Sequence, residues 1–177
     1  MKHIYTFLCL LLLSGVGQVG AFSEADLEKL KSTNECNKCD FSGANLGGAR
    51  LRGANLAEAN LTNAYLTGAN LYKANLEVVN LTGANLTGAN LEDTNLQEAS
   101  LAGVDLTKAY LEATDLTGAN LTMANLTGTV LEGTNLENAD LTDAVLTDAK
   151  LNWVKNLNKA ILCRTTMPDG TVNNSGC

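Results

Sequence analysis

Residues 41–61 read FSGANLGGARLRGANLAEANL, and the spacing within this stretch decides the fold. An apolar residue stands at every fifth position from Phe41 to Leu151, 23 in all, and only the first is not Leu. Two places before each stands a small residue, Ala at 16 of the 23; directly before it stands Asn or Asp at 16 of the 23. A helix cannot use this pattern, because five steps of about 100° rotate successive Leu by roughly 140° and spread them around the surface. A plain strand fails too, since an odd period sends alternate Leu to opposite faces. What remains is a coil in which each pentad forms one short side, with Leu and the small residue inside. Stacked coils then share a core that no single repeat could bury.

The residue after each Leu gives the number of sides. Sorted with a 20-residue period, Ser42, Thr62, Thr82, Ala102, Thr122 and Thr142 fall on side one, and Gly47, Thr67, Thr87, Thr107, Thr127 and Thr147 on side two. Side three carries Arg52, Tyr72, Glu92, Glu112, Glu132 and Asn152, and side four Ala57, Glu77, Gln97, Thr117 and Glu137. Nine of these ten Thr lie on the first two sides and all five Glu on the other two, which predicts four pentads per turn. Residues 39–153 then make 5.75 coils, a stack ~28 Å tall at about 4.8 Å per rung. The recurrent Asn and Asp suit tight corners, and their amides can stack into ladders.

The A-(D/N)-L-x-x run, as in Gly43-Ala44-Asn45-Leu46 and Gly88-Ala89-Asn90-Leu91, resembles the pentapeptide-repeat proteins. The resemblance implies an all-β fold, a right-handed quadrilateral β-helix. About function it implies little, because that family includes acidic gyrase-protecting DNA mimics, effectors and many exported members of unknown role.

Outside the repeats, Lys2 and His3 precede the apolar run Ile4 to Leu13 and a small-residue stretch ending at Ala21, the pattern of a secretory signal peptide over 1–21. The run is about half of what a spanning helix needs, so no membrane span is expected after cleavage. The expected mature chain, Phe22 to Cys177, bears a net charge of −8 once Lys2 is lost from the −7 of the full chain. Residues 22–38 read as an N-terminal cap, with Ser23 as N-cap of a short helix through Thr33 whose Leu27 and Leu30 lid the first coil. After Leu151 the phase slips by one residue to Leu157, so 154–177 reads as a C-terminal cap with Trp153 packed near it. Open β-helix ends invite edge-to-edge association, so both ends need closing. Cys36 and Cys39 precede the first coil, and Cys163 and Cys177 follow the last. A disulfide requires Cα atoms within ~7 Å, so the expected pairs are Cys36–Cys39 and Cys163–Cys177. A redox or metal role for the C-N-K-C stretch is the competing reading; it lacks the βαβ setting of redox sites, and four Cys from opposite ends cannot share a zinc.

The single His lies at position 3, inside the expected signal peptide, so the mature chain lacks the usual acid–base side chain near neutral pH. No catalytic, cofactor-binding or metal-binding residue is expected. An acidic chain is unsuited to binding nucleic acid or anionic membrane, and the Asn-x-Thr sequons follow automatically from the repeat. The expected role is a non-catalytic exported scaffold or protein-interaction module, in the periplasm, the secreted space, or a thylakoid lumen if the source is photosynthetic. Two alternatives stand beside it: an acidic nucleic-acid mimic, and ice or surface binding through the Thr columns. Side three departs most from the consensus. Arg50, Tyr110, Val130 and Lys150 replace Asn or Asp there, and it also holds Tyr72, Glu92, Glu112, Glu132 and Trp153. Carboxylates one rung apart repel by roughly 0.9 kcal/mol even at the dielectric of water. Arg50, Tyr72, Glu92, Tyr110, Glu112, Val130, Glu132 and Trp153 are therefore the candidate interaction face, for a protein or a divalent cation. The partner and the oligomeric state are not legible.

Overall fold

Twenty residues separate the bridged pairs along the stack as far as Asn135↔Lys155. In the computed structural model, which describes residues 22–177, parallel bridges run from Glu35↔Asn55 through Asn55↔Asn75 and onward to Asn135↔Lys155. The expected signal peptide lies outside the described residues. One bridge per pentad and 20 residues per turn define a four-sided solenoid. Each side is too short to be a strand of its own, and stability comes from stacking. Around one rung, Leu56 N–H donates to Asn75 O at 2.8 Å, Glu58 N–H to Glu77 O at 2.8 Å, and Asn75 N–H to Ala54 O at 2.8 Å. Every pentad apolar residue from Phe41 to Leu146 is buried; Leu151 alone is only partly covered.

The corners lie elsewhere than expected. Ala59 N–H donates back to Leu56 O at 3.1 Å, closing a turn over Ala57 and Glu58, and Glu58 is left-handed at φ 56°. The same position is left-handed in all the pentads, with Gly at Gly48 or Gly88 but also Val78 at φ 56° and Trp153 at φ 53°. This turn needs positive φ at its third residue, which strains a β-branched side chain such as Val78. The Asn or Asp is the bridging residue before the turn, and its Oδ1 accepts from the amide two residues on, as Asn75 does from Glu77 at 3.3 Å. Amide ladders form on side four, where Asn95 Nδ2 donates to Asn75 Oδ1 at 3.1 Å and Asn75 Nδ2 to Asn55 Oδ1 at 3.4 Å.

Thr94, Thr114, Thr129 and Thr134 occupy the small inward position, fully buried, in place of Ala. Each hydroxyl reaches a carbonyl 23 residues back, for example Thr134 Oγ1 to Leu111 O at 2.6 Å, so no buried hydroxyl is stranded.

At the N-terminal end, α1 spans Glu24–Thr33 with Ser23 as N-cap, Ser23 Oγ accepting from Asp26 N–H at 3.2 Å. Leu30 is buried and Leu27 packs against the core. Ser23 N–H donates to Asp40 O at 3.1 Å and Asp40 N–H to Asp26 Oδ2 at 2.9 Å, so the Asp26 carboxylate covers the open edge of side one. Cys36 and Cys39 are joined, as are Cys163 and Cys177. The Asp26 carboxylate lies within 4.8 Å of both N-terminal sulfurs, but a disulfide offers no thiolate to a metal.

The C-terminal phase slip appears as a change of bridge spacing from 20 to 21 residues at Asp140↔Ile161 and Val145↔Thr166. A 3₁₀ turn at Leu157–Lys159 takes up the extra length. β1 (Thr165–Thr166) pairs antiparallel with β2 (Val172–Asn173), which covers side two. Trp153 does not pack against this cap. It occupies the left-handed corner position, which points its side chain outward, and it is 82% exposed. No helix among the described residues is long and apolar enough to cross a membrane.

Candidate functional site

Side three is a continuous stack of rungs, Arg50↔Asn70, Asn70↔Asn90, Asn90↔Tyr110, Tyr110↔Val130 and Val130↔Lys150. The eight residues singled out from the sequence all stand on it. Arg50, Tyr110 and Val130 are bridging residues; Tyr72, Glu92, Glu112 and Glu132 follow the inward Leu; Trp153 is the corner of the last rung. The side divides along its length into a basic and an acidic stretch.

Its N-terminal stretch is basic and already engaged. The Arg52 guanidinium lies 4.4 Å from the Tyr72 ring centre and Lys73 Nζ 5.2 Å from it, so two cations share one aromatic ring. Tyr72 is accordingly half-buried rather than free.

The middle is acidic, and its carboxylates make no ion pair. Among the described residues the ion pairs are Lys31–Glu28, Lys38–Glu58, Lys159–Glu137 and Arg164–Asp143, none involving Glu92, Glu112 or Glu132. Glu92 accepts from Asn90 Nδ2 at 3.4 Å and Glu132 from Asn152 Nδ2 at 3.0 Å. Glu112, between them, has a buried Oε2 with no hydrogen-bond partner. Its pKa is raised, first by burial and then by the charges of Glu92 and Glu132, against the opposing pull of its own backbone amide and Lys150. Sequence reasoning located the repulsion here but not the desolvation. Asp115 on side four shows the contrast. Burial pushes it upward, yet hydrogen bonds from Thr117, Gln97 and Asn135 outweigh that and hold it below the ordinary carboxylate range.

A raised carboxyl pKa makes the folded state favour the protonated form. Stability associated with Glu112 is therefore fully present below its ordinary value of 4.5 and is lost as pH rises through the higher folded value. Glu112→Gln should melt higher than the parent near neutral pH, with the gap closing as pH falls below that ordinary value. Melting curves of both proteins across this pH series are the check; a gap that does not depend on pH would deny the desolvated carboxylate its role.

With this geometry in place, the repeat pattern itself assigns the class. The pattern described as Pentapeptide repeats matches this chain in eight copies, over residues 39–77, 59–97, 74–112, 94–133 and 124–155. The chain belongs to the pentapeptide-repeat family. Among solved structures it is similar to HetL, a pentapeptide repeat protein involved in heterocyst differentiation regulation in the cyanobacterium Nostoc, with 27% identity, 78% of this chain and 87% of that one covered, and a TM-score of 0.37. It is also similar to a pentapeptide repeat protein from the cyanobacterium Cyanothece, with 29% identity, 77% and 96% covered, and a TM-score of 0.41. A third is a pentapeptide repeat protein of the Arabidopsis thaliana thylakoid lumen, with 29% identity, 67% and 72% covered, and a TM-score of 0.23. No curated protein matches the chain by sequence.

Proposed function

We propose that this protein is an exported, non-catalytic interaction module that presents the third side of its solenoid to a protein partner. The observation that carries the reading is the column Glu92, Glu112 and Glu132, three carboxylates in successive coils with no ion pair among the described residues. Thr occupies the matching position on sides one and two, so the fold itself does not require acidic residues there. A partner surface bearing Lys and Arg would relieve the repulsion and take up the buried Glu112 oxygen. The absence of His after residue 3 supports a role without acid–base catalysis. The test changes Glu92, Glu112 and Glu132 together to Gln and repeats a cross-linking capture from the native envelope fraction beside the unmodified protein. Loss of a captured protein supports the reading, and a more stable variant with unchanged captures removes side three from it.

Export rests on the signal-peptide pattern at 1–21, and the two cysteine pairs suit an oxidising compartment. Native material should have the intact mass of Phe22 to Cys177 less four hydrogens, and should take up no thiol label before reduction. Retention of the first 21 residues, or labelling without reductant, would contradict this.

A further inference from the structure

Each interior rung of side three is hydrogen-bonded above and below. Leu131 N–H donates to Lys150 O at 2.9 Å, Gly133 N–H to Asn152 O at 3.2 Å, and Lys150 N–H to Thr129 O at 2.9 Å. By the same pattern the last rung turns Leu151 N–H, Trp153 N–H and Ala149 C=O away from the stack, and none of the three has a partner among the described residues. Of the flanking sides, side two is closed by β2, while side four runs on into the 3₁₀ turn at Leu157–Lys159; side one, opposite, is closed by the tail, where Leu162 N–H donates to Ser175 O at 3.0 Å. Apolar surface reaches solvent at the same place. Leu151 is the one pentad Leu left partly uncovered, Val154 is also partly covered, and Trp153 is 82% exposed beside them.

We propose that this open rung, Ala149 to Trp153, takes up an extended acidic segment of a partner protein as one further rung of the solenoid. Backbone groups of such a segment would accept from Leu151 and Trp153 N–H and donate to Ala149 O, while its apolar side chains covered Leu151 and Val154. Charge selects the occupant. Residues 150–177 carry Lys150, Lys155, Lys159 and Arg164 against Asp169 alone, whereas residues 74–149 carry twelve carboxylates against Lys108. Lys159 and Arg164 are paired with Glu137 and Asp143, which leaves Lys150 and Lys155, both exposed, without an ion pair among the described residues. Glu132, one rung below, accepts from Asn152 and pairs with neither lysine. A second copy offering the same end would set these lysines against their own images, so a foreign acidic strand fits better. The inference deepens the reading of side three as the interaction side, and places one contact at its end.

The single Trp of the chain is Trp153, so its fluorescence reports this rung alone. The probe is a ten-residue peptide alternating Glu and Val, acetylated and amidated at its ends, titrated into the mature protein. Two control peptides carry Lys in place of Glu, or N-methylated Val. The expected result is a saturable blue shift with the Glu peptide only, and amide exchange at Leu151 and Trp153 slowed about tenfold at saturation. Lys150→Gln with Lys155→Gln, both at exposed sites, should weaken binding of the Glu peptide by about tenfold while circular dichroism shows the solenoid still folded. Equal binding of the Lys peptide, or unchanged exchange at the two amides, overturns the proposal. So does a blue shift that grows with protein concentration alone, with a dimer in sedimentation, which assigns the rung to a second copy. If the peptide fails while the Glu-to-Gln column variant loses its captured partner, the open rung falls and the side-three reading stands.

Discussion

Leu96→Asp will prevent the solenoid from forming. Leu96 is fully buried on side four, in the column of Leu76 and Leu116, and its amide donates to Asp115 O at 2.8 Å, so the chain cannot swing the new side chain outward without breaking a rung. Removing a buried Leu side chain forfeits roughly 1.5–3 kcal/mol of transfer energy, and the cavity raises typical losses to about 2–5 kcal/mol. An unpaired carboxylate in that space adds several kcal/mol more or must be protonated. The sum exceeds about 5 kcal/mol, comparable with the whole stability of a typical domain. Because each coil is supported only by its neighbours, a break at Leu96 also separates the coils below from those above. Circular dichroism and urea unfolding should show a chain without a cooperative transition. Glu98→Asp, two residues away at an exposed left-handed corner, should stay within about 0.5 kcal/mol of the parent. A cooperative Leu96→Asp protein would show that the inward column is misassigned.

The features of this fold that are legible in the sequence are those with a strict period. Leu at every fifth position and the sorting of Thr and Glu by 20 residues define the four-sided coil, because burial is unforgiving and a slip of one residue would expose the whole column. The N-cap at Ser23 is legible for a similar reason, since few residues satisfy a first-turn amide. The corners are not. Asn and Asp are turn formers by propensity, but here they bridge and bind the following turn, while the left-handed corner accepts Glu58, Val78, Met123 or Trp153 because stacking on both sides overrides local preference. Trp153 departs from expectation for that reason: a large aromatic near a chain end ordinarily packs, whereas a corner residue has no inward direction available. The inward Thr can be placed from sequence but not explained, since a carbonyl 23 residues back, such as Leu91 O for Thr114, is visible only once the coils are stacked. At the candidate face, counting alone groups the residues of side three. The desolvation of Glu112 depends on how side chains fold over one another, and the open rung at Leu151 depends on where the C-terminal tail turns, neither of which a period encodes.

Ala89→Trp will cost nearly as much as the Leu96 change, by the opposite route. Ala89 is fully buried at the small inward position of side three, with Ala69 below it and Ala109 above it, both also fully buried. The three are locked in register, since Asn90 N–H donates to Ala69 O and Tyr110 N–H to Ala89 O, each at 2.9 Å. Side chains in this column are therefore held about one rung, ~4.8 Å, apart, and protein interiors of this density have no spare volume for an indole. Inserting even a few methylenes into a packed core costs about 1–3 kcal/mol, and an indole is far larger. It must either push neighbouring coils apart, breaking rung hydrogen bonds on side three, or turn outward and drag its backbone from the wall. The expected loss is at least about 3 kcal/mol, read as a lower urea midpoint with the m-value unchanged if the coils separate only locally. Ala89→Gly tests the same site in the other direction. It removes a methyl and adds backbone freedom, and should cost about 1 kcal/mol. Equal melting temperatures for Ala89→Trp and the parent would mean that the position faces solvent, and the narrow core of alternating Ala and Leu would have to be redrawn.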